Sequence, residues 1–180
     1  GDHVLKGQEI ASHQGLISAP IHASSSGVVS DIGTYPVPSV SGQGAQCIVI
    51  DTDGKDECQL FEEMSGDLYG VSPVDIHDRI NAAGIVGLGG AGFPSAVKML
   101  PGLHSEIHLL IVNAAECEPF ISCDEALLRE KAREVILGVE IIRHVVQAGE
   151  CVIGIENDKP EAIAALQQEI NDLGEASIKL

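Results

Sequence analysis

Two short stretches hold most of the chemistry this sequence can perform. In GLGGAGFP, Gly87, Gly89, Gly90 and Gly92 free the backbone to approach a ligand and to aim successive N–H groups at an anion, and a phosphate suits that arrangement. Gly87, Gly89 and Gly92 also satisfy the letters GxGxxG. A dinucleotide fingerprint requires a strand immediately before it, however, and a capped helix precedes this one. Downstream, the apolar run IHLLIVN ends in Asn113 and passes into AAECEPF, which puts Glu116 and Glu118 at the carboxyl end of a strand. Open α/β sheets bind ligands at that edge. Alternate residues of an extended segment point the same way, so both carboxylates can face one pocket and accept hydrogen bonds from ribose hydroxyls or position a cofactor ring; a solvated acidic loop is the alternative. Lys98, four residues after Pro94, can present a point charge to a phosphate or simply lie on the surface.

Other chemistries find little support. Cys47, Cys58, Cys117, Cys123 and Cys151 form no CxxC pair, and their odd number argues for reduced thiols rather than disulfides. Only Cys117 and Cys123 are near one another, at a spacing that matches no common zinc or cluster motif, so they read as small, half-buried residues. Of the seven histidines only His104 and His108 stand at a ligand-like spacing, and no third ligand accompanies them. There is no GxSxG, no Cys–His pairing and no P-loop.

The elements that must position these residues fall into two kinds. Residues 1–52 alternate short apolar runs with glycine and proline turn signals and close on CIVID from Cys47, which predicts a small all-β module. Residues 53–71 mix charge and glycine without periodicity and read as a linker. From 72 to 180 the pattern is α/β. SPVDIHDRINAAG has an N-cap Ser72, a proline at the first helical position and a terminal Gly84. SAVKML predicts a short helix stopped by Pro101, and IHLLIVN from Ile107 a buried strand. Ser122 and Glu125 read as a capping box opening one long helix whose core face is Leu128, Ala132, Val135, Val139, Ile142 and Val146. CVIGIE from Cys151 predicts a second strand, Asp158 the N-cap of a helix through about Leu173, and SIKL the start of a third strand. Strand, helix, strand, helix, strand implies right-handed crossovers in a partly parallel sheet flanked by helices, cut short as a third strand begins.

Composition narrows the function. Ten Lys and Arg against twenty-seven acidic residues give a formal charge of −17, which disfavours nucleic acid, and the lack of Trp with 3% aromatics removes the stacking platforms of single-strand binders. With 44% hydrophobic residues but no apolar run of membrane-spanning length, and with no signal-peptide pattern in GDHVLKGQEI, a folded protein without direct membrane insertion is expected, reaching a membrane only through a partner.

GLGGAGFPSAVK followed by LLIVNAAECEPFISCDEALLRE resembles the family of the C subunit of the Rnf electron-transport complex and, more distantly, the FMN-binding 51 kDa subunit of respiratory complex I. The complex I signature looks like a GxGGAGFP loop and an Asn-Ala-Asp-Glu-x-Glu-Pro turn. Here Ala115 replaces the Asp, as in the Rnf version, which removes one polar flavin contact, while Asn113, Ala114, Glu116, Glu118 and Pro119 are retained. GDHVLKGQEI with APIHASSSGVVSDI is similar to the barrel-sandwich hybrid of biotinyl and lipoyl domains; Lys6 lacks a Met-Lys-Met setting, so the module reads as structural rather than as a swinging arm.

The resemblance implies FMN as cofactor and NAD(H) as substrate. It implies that the backbone of Gly87, Gly89, Gly90, Ala91 and Gly92 lies along the flavin phosphate with Lys98, that Asn113 bonds the flavin, and that Glu116 and Glu118 line the nicotinamide side. It further implies two [4Fe–4S] clusters with ligands outside this chain, partnership with the other subunits of the Rnf membrane complex, and a peripheral place on the cytoplasmic face of the bacterial inner membrane. Such a protein takes part in ion-translocating exchange of electrons between NADH and ferredoxin. Two rivals remain: a non-catalytic docking module of a membrane redox complex, and a homologous component of the sodium-pumping quinone reductase that has lost its flavin site.

Overall fold

The computed structural model describes residues 1–38, 42–61, 64, 66–88, 91–116, 118 and 120–180. Gly89 and Gly90 of the glycine loop, and Cys117 and Pro119 of the acidic turn, lie outside the described residues. The chain forms two compact units, one made of residues 1–65 with 81–94 and the other of residues 66–80 with 95–180.

The first unit is a β module. Strands β1 (His3–Val4), β4 (Gly27–Pro36) and β5 (Gly44–Thr52) form an antiparallel sheet in the order β1-β4-β5, and β2 (Glu9–Ala11) pairs antiparallel with β3 (Ile21–His22). The long strands carry the residues that suit a pleated surface: Val28, Val29, Ile32, Thr34 and Tyr35 on β4, and Ile48, Val49 and Ile50 on β5. Their register shifts between Val29 and Asp31, a bulge that lets a ten-residue strand bend. Buried Ser26 is fully satisfied, donating to Asp53 Oδ1 at 2.7 Å and accepting the Glu57 N–H at 3.0 Å. The following segment is held as well: Lys6 N–H bonds Glu57 O, Gln59 N–H bonds Lys6 O, and Lys6 Nζ lies 2.6 Å from Asp56.

The second unit is built on a parallel sheet, β6 (Leu109–Asn113), β7 (Glu150–Gly154) and β8 (Ile178–Lys179), in the order β6-β7-β8. Helices α3 (Cys123–Glu130) and α4 (Ala132–Val146) connect β6 to β7, and α5 (Pro160–Leu173) connects β7 to β8. Ile136, Val139, Cys151, Ile153, Leu166 and Ile170 form the core between helices and sheet. A second cluster gathers Ile76 of α1 (Pro73–Ala82), Met99 of α2 (Ser95–His104), and Val145 and Val146 of α4. Here Gly102 is required by proximity, because a Cβ at that position would lie 2.6 Å from Val146 Cβ. Only a residue without a side chain lets α2 and α4 approach this closely.

Several local expectations are corrected. Pro101 does not stop α2, which runs on to His104. The proline forfeits one backbone hydrogen bond, but Met99 and Gly102 on either side of it are buried, so packing overrides the break. The single long helix is two helices, interrupted at Lys131 with φ −128° and ψ 31°. Lysine favours helix, so the interruption comes from packing: Leu128 and Ala132, on either side of it, both bury in the core that α5 closes. On α4 the fully buried positions are Ile136 and Val145, with Val135 and Ile142 only partly covered. The N-cap of α5 is Lys159 rather than Asp158. Finally, β6 is not a buried strand: Leu110 and Val112 pack on the core while Leu109 and Ile111 are exposed, Ile111 by 67%.

Among the described residues four cysteines are free thiols, Cys47 half-buried, Cys58 and Cys123 exposed and Cys151 buried, so Cys123 departs from the half-buried expectation, while Cys117 lies outside the described residues.

Candidate functional site

The glycine loop belongs to the first unit, whereas Lys98, Asn113, Glu116 and Glu118 belong to the second. In the first unit, α1 gives way to a turn in which Gly84 N–H bonds Asn81 O. The loop is then closed by an antiparallel bridge between Val86 and Pro94 and by a hydrogen bond from Gly87 N–H to Phe93 O at 2.9 Å. Ala91 and Gly92 are exposed at its tip, and Gly92 has φ +60° with open space where a Cβ would be. The backbone there is presented outward in a conformation suited to glycine, which is what close approach by a phosphate requires.

In the second unit the carboxyl edge of the sheet gathers more than the sequence suggests. Ala114 N–H bonds Gly154 O at 2.8 Å, so the turn after β6 stays attached to the end of β7. Asn113 Oδ1 accepts the Ala115 N–H at 3.1 Å, which leaves the Asn113 amide NH₂ as a donor. Glu116 turns onto the start of α3, where its Oε1 accepts the Asp124 N–H at 3.0 Å and its Oε2 the Glu125 N–H at 3.5 Å. It thus takes the role expected of the Ser122 hydroxyl, which makes no capping bond. The Asp124 N–H above all holds the Glu116 carboxyl below the usual carboxylate range, with further help from the Glu125 N–H, the Cys123 thiol and the Lys159 charge. Glu118 is exposed. Lys98 is an exposed residue of α2.

The roles of three residues at this edge escape sequence reasoning. Two of them form a pair: Lys159, where the loop after β7 enters α5, lies 3.0 Å from Glu125 on α3. The DKPEA stretch reads only as a helix start, although its place after a strand of a parallel sheet is itself a ligand-edge signal. The third is Phe120, fully exposed with φ +67°. A left-handed backbone at a bulky residue costs roughly 1–2 kcal/mol, and no feature of EPFIS announces it.

Glu116, Cys123 and Asp124 each bring one possible ligand atom within 4.8 Å of the others. Both Glu116 oxygens already accept backbone N–H groups, so this cluster is a helix cap and is not assigned as a metal centre. A separate apolar groove of ≈ 590 Å³ in the β module is lined by Ile10, Ile21, Ile32, Ile48 and Ile50, with Cys47 among its other lining residues and none of the residues expected to hold a flavin.

Taken unit by unit, the exposed backbone at Gly92 in the first suits a phosphate, and the sheet edge of the second offers an amide donor at Asn113 and a carboxylate acceptor at Glu118, groups of the kind that flavin ring and ribityl atoms pair with.

Comparison with known proteins bears on the same residues. A family model described as the Nuo51 FMN-binding domain matches residues 80–180, and one described as the RnfC barrel sandwich hybrid domain matches residues 1–55. Among curated relatives, the C subunit of the ion-translocating oxidoreductase complex of Pseudomonas aeruginosa is 48% identical over 166 residues, covering 92% of this chain and 21% of the relative. The protein of the same name in Vibrio cholerae is 45% identical over 173 residues, covering 96% of this chain and 22% of the relative. That of Pasteurella multocida is 38% identical over 180 residues, covering 100% and 21%. The chain therefore spans about a fifth of the length of these relatives.

Proposed function

The chain belongs to the C-subunit family of ion-translocating oxidoreductase complexes, with its barrel-sandwich hybrid and Nuo51-type FMN-binding domains, and on that basis we propose that it is the flavin-holding part of such a protein. The observation that carries the proposal is Asn113 at the carboxyl edge of a parallel sheet, followed in the sequence by Glu116 and Glu118, inside the region matched by an FMN-binding family model.

In this reading the backbone of Gly87, Gly89, Gly90, Ala91 and Gly92, with Lys98, holds the FMN phosphate. Asn113 donates its amide to the flavin ring, Glu118 accepts from the nicotinamide side, and Glu116 acts there by fixing the turn through its hold on α3. Bound FMN would supply redox chemistry able to bridge two-electron nicotinamide and one-electron iron–sulfur exchange. The residues of this chain supply placement: they hold the ring at the sheet edge and direct an amide donor at it. The onward carriers are two [4Fe–4S] clusters whose ligands lie outside this chain. The partners are the other subunits of a membrane complex that couples the exchange between NAD(H) and ferredoxin to ion movement, and the protein sits at the cytoplasmic face of the bacterial inner membrane. No helix among the described residues is long and apolar enough to cross a membrane, which suits attachment through those partners.

The test is FMN titration followed by flavin fluorescence, on this chain and on the full-length protein. Saturable binding weakened by Gly90→Val and by Asn113→Ala supports the assignment. If neither protein binds FMN, the flavin role is wrong and a docking module of a redox complex replaces it.

A further inference from the structure

Phe120 has no structural reason to be phenylalanine. It is fully exposed, so it contributes nothing to either core cluster of its unit. Its φ of +67° is a conformation that glycine adopts freely and an aromatic residue resists. Tyr69 and His144 form an edge-on ring contact elsewhere in the unit. An unfavourable backbone carrying an uncovered ring persists where the ring serves something outside the fold.

The surroundings decide what that is. Ile121 N–H bonds Glu118 O, so Phe120 sits inside the turn that follows Asn113 and Glu116. Two residues before it and four after it along the chain stand the acceptors Glu118 and Asp124, both exposed. A protein surface laid over the ring would strip water from these carboxylates without pairing them, which is unfavourable. A phosphate is equally ill suited, since Lys159, the cation whose charge reaches Glu116, is already paired with Glu125. A flat ring bearing N–H or hydroxyl donors meets both demands: it covers the phenyl face and gives the carboxylates partners.

We infer that Phe120 is a ring-stacking residue, its face taken by the heteroaromatic ring of the bound redox ligand, flavin or nicotinamide. The inference rests on the flavin assignment above and adds to it the residue that defines one face of the ring site.

The sequence contains no tryptophan, so Phe120→Trp creates a single reporter in this chain. Titration with FMN and, separately, with NADH is expected to quench its emission saturably, and whichever ligand does so names the ring. In the full-length protein, Phe120→Ala is expected to weaken binding of that ligand about tenfold. Phe120→Gly is expected to weaken it equally while raising the melting temperature, because glycine relieves the backbone. That opposite movement separates a ligand role from a structural one. Wild-type binding in Phe120→Ala and Phe120→Gly, with unchanged emission from the introduced tryptophan in the presence of bound ligand, would overturn the stacking role and leave the flavin assignment standing. A wild-type protein that binds neither FMN nor NADH removes both.

Discussion

Glu116 accepts the backbone N–H of Asp124 at 3.0 Å, reaching across seven intervening residues to close the first turn of α3. A carboxylate there is favoured by the partial positive charge of the helix start as well as by the hydrogen bond. Glu116→Ala is therefore expected to lower the melting temperature and to speed amide exchange at the first turn of α3. Ser122→Ala, at the formal N-cap, is expected to change stability by less than about 0.5 kcal/mol, because that hydroxyl caps nothing. Equal effects of the two substitutions would show that Glu116 is not the cap.

Gly102 and Gly138 make a matched pair in opposite directions. Gly102→Ala forces a methyl group against Val146 and is expected to destabilise the second unit by roughly 2 kcal/mol. Gly138→Ala, inside α4 with open space around the new methyl, is expected to stabilise by about 0.5–1 kcal/mol. Urea denaturation of both variants checks the signs.

The Glu140 carboxylate is nearly buried, at 4% exposure, and takes a hydrogen bond from Tyr69 Oη at 2.6 Å and another from Arg143 Nη2 at 2.7 Å. Burial works against its ionisation, but these bonds prevail and hold its carboxyl below the usual range. Glu175, 3.7 Å from Arg143, is pushed the other way by burial and by the Glu140 charge. The two give opposite slopes. As pH falls from neutrality, the folded state takes up the Glu175 proton before the unfolded state does, so stability rises. Below the ordinary glutamate value of 4.5, the unfolded state protonates its Glu140 first, and the stability Glu140 provides is lost as pH falls through its lower folded value. Glu175→Gln is expected to abolish the rise, and Glu140→Gln to cost roughly 2–3 kcal/mol at pH 7 and to flatten the acid limb. Urea midpoints at several pH values test both, and an unchanged rise in Glu175→Gln would contradict this account.

Thiol labelling is expected to follow burial and charge. Cys58 is exposed and reacts first. Cys123 is exposed too, yet desolvation and the Glu116 carboxylate push its thiol up, so it reacts more slowly at about pH 7.5. Cys151 is buried, with a thiol raised mainly by burial, and labels only on unfolding. Peptide-resolved mass spectrometry over time gives the order, and early labelling of Cys151 would contradict it.

What the sequence made legible was local. Ser72 with Pro73 and the glycine after α1 mark helix ends through interactions within a few residues, and α1 stands where those signals place it. Glu116 as the cap of α3 was not legible, because its partners are eight and nine residues away and a closer Ser–Glu pair offered the familiar pattern. Pro101 inside α2 depends on contacts between helices that no local rule sees. The half-exposed face of β6 escaped because an unbroken apolar run looks the same whether one side of the strand is covered or two. At the sheet edge, the place of Asn113 at the end of a strand was legible from the apolar run before it, whereas the places of Lys159 and Phe120 required knowing which strand ends share an edge and which backbone turns left-handed.

The chain passes between its two units three times, at residues 65/66, 80/81 and 94/95. In inheritance, this means that neither unit travels as one uninterrupted stretch of gene. A recombination event near residue 65 would hand the β strands to one descendant and the glycine loop to another, although the two belong to the same folded body. Shuffling that treats the β module as a detachable cassette therefore yields a protein lacking part of what completes it, and an exchange near residue 94 keeps the first unit whole only by taking residues 66–80 away from the second.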